Sequence, residues 1–194
     1  MLVRDGDRYI LDEKFVVIPS KDQDLLATCY LRMKAEKLLD VMFYEEIPNL
    51  CRYMEMMLKE GSVFLALFQI ERTGAYTLIG FGGTSNPVSM GGGYCKAEMY
   101  CLFFKEYQRR NISFPVAQMM MAWCYERIAN LDVMFGTTPA PNVAMVRFAK
   151  ALGFKMSKID NFTTWKGEPC AVWISCLTDQ EFRLLVDQSI PHLR

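Results

Sequence analysis

The richest chemistry in the 194-residue chain lies in Gln108-Arg109-Arg110-Asn111-Ile112-Ser113, a polar loop between the apolar run AEMYCLFF and a helical pattern that starts near Pro115. The first turn of a helix has unpaired backbone N–H groups and the positive end of the dipole, so it can bind phosphate with little side-chain help. Arg109 and Arg110 add charge. Asn111 is one of the few non-glycine residues that tolerates a left-handed backbone, and Ser113 can act as N-cap or as a hydroxyl donor to an anion. The same residues also suit an ordinary capped, solvated loop, and both readings stand on residue types alone. Upstream, Glu98 and Tyr100 are two residues apart and share one face of a strand. Tyr100 is either a phenolic acid or a packed aromatic, and Cys101 points to the opposite, core-like face.

Other chemistries lack their ingredients. The single histidine, His192, is three residues from the carboxyl end, which leaves Cys/His zinc sites and histidine triads without a ligand or base; no metal site is expected. The seven cysteines are odd in number, contain no C-x-x-C pair and lie mostly in apolar stretches, as expected of a reducing, cytoplasmic setting. Twenty-two Lys and Arg offset twenty-two Asp and Glu, so no global field draws the chain to nucleic acid or an anionic membrane. The amino terminus starts charged and has no apolar h-region, and no segment has the length of a membrane span.

With 52% hydrophobic residues, the chain can fill the core of one α/β domain spanning residues 1–194. Ile10 to Pro19 suits a first strand, and Asp22 to Leu39 and Ile47 to Leu58 have helical spacing. SVFLALFQI and YTLIGFGGT form a hairpin about E-R-T-G-A. Gly91 to Gly93 make a connector that interrupts pairing, and AEMYCLFF is a fourth strand. Met119 to Met121, with Trp123 and Tyr125, suit either a pliable surface or core filling. LDVMFG is a short strand, followed by the helix VAMVRFAKALG, where Ala144, Val146, Ala151 and Leu152 can pack and Gly153 supplies the C-cap. FKMSKIDNFTTWK and CAVWISCL close the chain as an antiparallel pair.

Two motifs in this order resemble the Gcn5-related N-acetyltransferase (GNAT) superfamily. EYQRRNIS is similar to that family's Q/R-x-x-G-x-G/A loop, with Gln108 first, Asn111 for the central glycine and Ser113 for the last small residue. NVAMVRFAKALGF is similar to its N-x-x-A/S-x-x-x-x-x-x-L-G-F segment, with Asn142, Leu152, Gly153 and Phe154 in register and Arg147 where one branch has arginine. The resemblance covers most of the chain. It implies a mixed, mostly antiparallel twisted sheet with helices on both faces, and transfer of an acetyl group from acetyl-CoA to an amine on a small molecule or a protein.

In that picture the fourth strand and the strand at Leu131 to Phe135 splay apart and the pantetheine arm pairs with exposed backbone. Gln108 to Ser113, including Arg109, Arg110, Asn111 and Ile112, hold the pyrophosphate, and Asn142 holds the cofactor side. Glu98 is the implied base and Tyr100 an alternative acid. The acceptor side would come from the first helices and the loops at Gly91 to Gly93 and Asn161 to Pro169. Where relatives have an acidic tyrosine or a serine, this chain has Ala149 and Met145. That departure gives a second expectation, a fold retained as a binding module, alone, as a homo-oligomer or in a larger assembly such as a phage particle.

Overall fold

Gly6, at φ +60°, folds two short strands against each other, β1 (Leu2–Asp5) and β2 (Arg8–Leu11). Asp12 and Glu13, at φ +53° and +56°, then turn the chain into β3 (Phe15–Pro19). The run from Ile10 to Pro19 is therefore not one strand, because a left-handed pair of acidic residues breaks it without a glycine to mark the break. The computed structural model describes residues 1–39, 47, 49–108, 111–165 and 168–189. Arg109, Arg110 and His192 lie outside the described residues.

Helix α1 (Gln23–Ala35) begins where the Asp22 carboxylate accepts from the backbone N–H groups of Asp24 and Leu25, and α2 (Leu50–Met57) where Asn49 accepts from Arg52. Strands β4 (Val63–Ile70) and β5 (Tyr76–Gly91) form the expected hairpin. Gly91, Gly92 and Gly93 all take positive φ and turn β5 directly into β6 (Tyr94–Phe103), with Ser89 opposite Cys95 and Gly91 opposite Tyr94. These glycines thus make the hairpin turn that lets pairing continue, rather than interrupting it.

After β6 come α3 (Ser113–Arg127), β7 (Leu131–Pro139), α4 (Val143–Ala151), β8 (Lys155–Trp165), β9 (Glu168–Thr178) and α5 (Asp179–Ser189). The nine strands form one sheet in the order β1-β2-β3-β4-β5-β6-β7-β9-β8, antiparallel throughout except between β6 and β7. Every residue of α3 from Val116 to Tyr125 is buried, so the methionine run fills the core. On α4, Val146 and Leu152 pack as expected, whereas Ala144 and Ala151 are exposed and Ala149 is buried. Gly153, at φ +93°, and Phe154 end that helix by donating to the carbonyls of Lys150 and Ala149.

Candidate functional site

The sheet opens in the middle. Strands β6 and β7 pair only from Cys95 to Glu98 against Leu131 to Phe135. Beyond that rung, Met99 to Phe103 stay with β5, while Gly136 to Pro139 stay with β9. Glycines on β5 hold β6 close: a Cβ on Gly80 would stand 2.3 Å from the Leu102 carbonyl, and one on Gly82 2.8 Å from that of Tyr100. The Phe104 N–H donates to the Ile79 carbonyl of β5 at 3.0 Å, and backbone groups alternate sides along a strand, so Cys101 points its N–H and C=O away from β5, into the opening. The Phe103 carbonyl accepts from Gln108 Nε2 at 2.8 Å, which ties the loop to this strand edge.

A cavity of about 1090 Å³ runs through the opening, from Gln108 and Ser113 at one end to Arg52 and Met56 of α2 at the other. At the first end, Ile112 occupies the cap position of α3 with no side-chain hydrogen bond, and Ser113 is the first helical residue. Ser113 is therefore not the N-cap. The cap residue itself supplies no side-chain acceptor to the first turn, and Pro115 has no N–H to satisfy. Asn142 caps α4, its Oδ1 accepting from the Met145 N–H at 3.2 Å, and it lines the cavity with Met145 and Ala149.

Glu98 stands on the last paired rung, opposite Ser85 on β5 and Phe135 on β7, and both Glu98 and Ser85 line the cavity. Tyr100 also borders it, but its hydroxyl donates to the Val63 carbonyl at 2.9 Å, and burial pushes the phenol pKa up. In this structure the Tyr100 hydroxyl is thus held by the β4 backbone. The Cys101 thiol is pushed up to about 12 by burial and stays protonated at neutral pH. On the far side of the opening, Ser175 Oγ donates to the Gly136 carbonyl at 3.1 Å.

Sequence reasoning placed the acceptor side in part on the first helices, which include α2, but named none of its wall residues Arg52, Glu55 and Met56, and it passed over Ser175. Spacings of three and four from Arg52 are the only signal for that wall. None of Gly91, Gly92 and Gly93 is among the described residues that line the cavity, so this part of the expected acceptor side is not there.

No protein-family model matches the chain, and no curated protein matches it significantly. Solved structures do. A spermidine N-acetyltransferase from Vibrio cholerae, in complex with CoA and spermine, superposes with a TM-score of 0.72 at 12% identity, over 89% of this chain and 99% of that one. The fold is that of the GNAT acetyltransferases. RimJ of Mycobacterium smegmatis, in complex with CoA-disulfide, matches with a TM-score of 0.70 at 12% identity, over 96% of this chain and 92% of its own. A ribosomal-protein-S5-alanine acetyltransferase from Vibrio fischeri matches with a TM-score of 0.68 at 12% identity, over 94% and 98%. In this GNAT fold the parted strands and the adjoining start of α3 form the cavity just described.

Proposed function

We propose that the protein transfers an acetyl group from acetyl-CoA to a primary amine. The observation that carries this reading is the parting of β6 and β7 beside a helix start with no side-chain cap. The donor set fits the co-substrate: first-turn N–H groups of α3 suit a pyrophosphate, and the outward backbone of Cys101 suits the amides of a pantetheine arm. Gln108, Asn111, Ile112 and Ser113 would form the loop side of that site, with Arg109 and Arg110 supplying charge. Asn142 and α4 would form the opposite wall. Fold neighbours named as acting on spermidine or on ribosomal proteins, some crystallised with CoA, support the same class of chemistry.

The chemistry asked of the chain is modest. The amine nitrogen attacks the thioester carbonyl carbon, a C–N bond forms, the C–S bond breaks, and CoA departs as a thiolate. Glu98 takes the proton the amine loses. Met145 and Ala149 offer no hydroxyl on their side of the cavity, so the thiolate takes its proton from solvent. Seven unbridged cysteines suit a reducing, cytoplasmic setting for this thiol chemistry.

The test is thermal denaturation with acetyl-CoA, alongside Ser113→Glu. At one hundred times Kd the ligand adds about 2.7 kcal/mol, a rise of roughly 5–10 °C for a chain of this size. A carboxylate at the start of α3 suits the helix dipole but repels a phosphate, so the variant stays folded and loses the shift. No shift in the parent protein at millimolar acetyl-CoA overturns the proposal and favours a binding module.

A further inference from the structure

Strand β8 closes one end of the sheet. It pairs with β9, and nothing among the described residues pairs with its other side. Every residue from Ser157 to Phe162 is exposed, including the large apolar side chains of Ile159 and Phe162. An open edge of this kind is a template for a further strand. The register shows which backbone groups are open. The Ala140 N–H donates to the Ala171 carbonyl of β9 at 2.9 Å, so the odd-numbered residues of β9 bond to the β7 side and, by alternation, Val172, Ile174 and Cys176 bond to β8. Their partners are Ile159, Ser157 and Lys155, which leaves Met156, Lys158 and Asp160 directing N–H and C=O outward. Beyond Asp160 the ladder shifts register and Asn161 takes φ +52°, so the open edge centres on Lys158-Ile159-Asp160.

That triplet is its own complement. Laid antiparallel against a second copy about Ile159, each Lys158 stands opposite Asp160 of the other copy in a hydrogen-bonded pair. The two Ile159 side chains meet in the non-hydrogen-bonded pair between them, where side chains approach most closely. Lys158 and Asp160 already share one face of the strand, 2.8 Å apart, so across two copies the four charges alternate in sign around a square. Other registers lose the match: centring on Lys158 sets two ammonium groups opposite each other, and centring on Asp160 two carboxylates. A lysine alone on an exposed edge deters pairing, but a carboxylate two residues on turns that deterrent into a recognition element for an identical strand.

We infer that two copies of the protein join edge to edge through β8, antiparallel about Ile159, in a symmetric dimer with one continuous sheet. The contact is short, so the dissociation constant is about 10–100 µM.

Sedimentation equilibrium of the full chain, from about 5 to about 500 µM, decides this. The parent passes from monomer to dimer across that range. Lys158→Asp and Asp160→Lys each set like charges opposite one another and weaken the dimer at least about tenfold. Mixed in equal amounts, the two variants pair with each other about as tightly as the parent pairs with itself, because one strand then carries two carboxylates and the other two ammonium groups. An unfolded variant could not recover in this way, so recovery separates lost pairing from a lost fold. A parent that stays monomeric, reversals that leave its dimer unchanged, a mixture that stays monomeric, or an open series of larger species each overturns the inference.

Discussion

Tyr100 of β6 reaches across Gly83 of β5 to donate its hydroxyl to the Val63 carbonyl of β4 at 2.9 Å. A Cβ on Gly83 would stand 3.1 Å from that hydroxyl and 1.9 Å from that carbonyl, so the glycine makes the bond possible. A phenol held in this way ties three strands together at the edge of the cavity, and the expectation is that it serves the fold and not the proton transfer. Tyr100→Phe leaves a buried carbonyl without its partner and lowers stability by about 1–2 kcal/mol in urea denaturation. Acyl transfer by the folded variant stays within about threefold of the parent, whereas loss of a general acid costs about 10²–10⁴-fold. A hundredfold fall in kcat would restore Tyr100 to the role of acid.

The N-terminal hairpin docks on α3 through charge. Arg4 holds Glu126 with two hydrogen bonds, of 2.8 Å and 2.6 Å, and the Tyr9 hydroxyl donates to the same carboxylate. The Arg4 hydrogen bonds are the main reason the Glu126 carboxyl lies below its ordinary value; burial opposes them and the Tyr9 bond adds to them. On α5, the Lys155 ammonium, with the backbone and hydroxyl of Thr178, lowers Glu181 to about 2. A carboxyl depressed in the folded state contributes stability that is complete above its unfolded pKa and lost as pH falls through the folded one. Melting temperature therefore falls steeply between about pH 5 and pH 2, and Glu126→Gln flattens the upper part of that fall while lowering the plateau above it. Parallel slopes for variant and parent would exclude Glu126 as a source.

How far the sequence could be read depends on local marks. Gly153 and the Leu152–Phe154 segment declare the end of α4 because the left-handed closing turn needs a glycine. Asp12 and Glu13 make the same kind of turn with no such residue, so the N-terminal hairpin was hidden inside one β-branched run. Thr178 and Glu181 form a reciprocal cap, at 3.0 Å and 3.2 Å, from a T-x-x-E spacing that was present in the chain. Closing the reading at the strand CAVWISCL passes over that signal, and α5 with it. Residue types pointed to the loop at Gln108, and the family resemblance pointed to the carboxylate at Glu98. The cavity linking them to α2 depends on where β6 and β7 part, a tertiary fact that no local spacing encodes.

Gly153 also sets the packing of α5. At φ +93° it occupies a conformation that L side chains rarely adopt, and a Cβ there would lie 2.2 Å from Leu185 Cδ1. Gly153→Ala combines left-handed strain with a forced shift of Leu185, and destabilises by about 2–4 kcal/mol in urea denaturation. The loss is concentrated at the α4–α5 junction, so amide exchange in α5 accelerates more than in β4. A variant as stable as the parent would show that α5 can move aside at no cost.

Glu98 provides the sharpest test of chemistry, because it stands on the last rung before the strands part and lines the cavity there. If it takes the amine proton, Glu98→Gln keeps the shape of the rung and removes the base. With the preferred amine, kcat falls by about 10²–10³-fold, while CoA affinity, set at the other end of the cavity, changes by less than about twofold. The pH profile separates this from a structural fault. An alkylamine deprotonates near pH 10, so activity in the variant climbs about tenfold per pH unit up to that point as free amine replaces the missing base, whereas the parent levels off earlier. Equal pH profiles with a uniformly lower rate would mean that Glu98 only orients the acceptor, and the proton would then go directly to water.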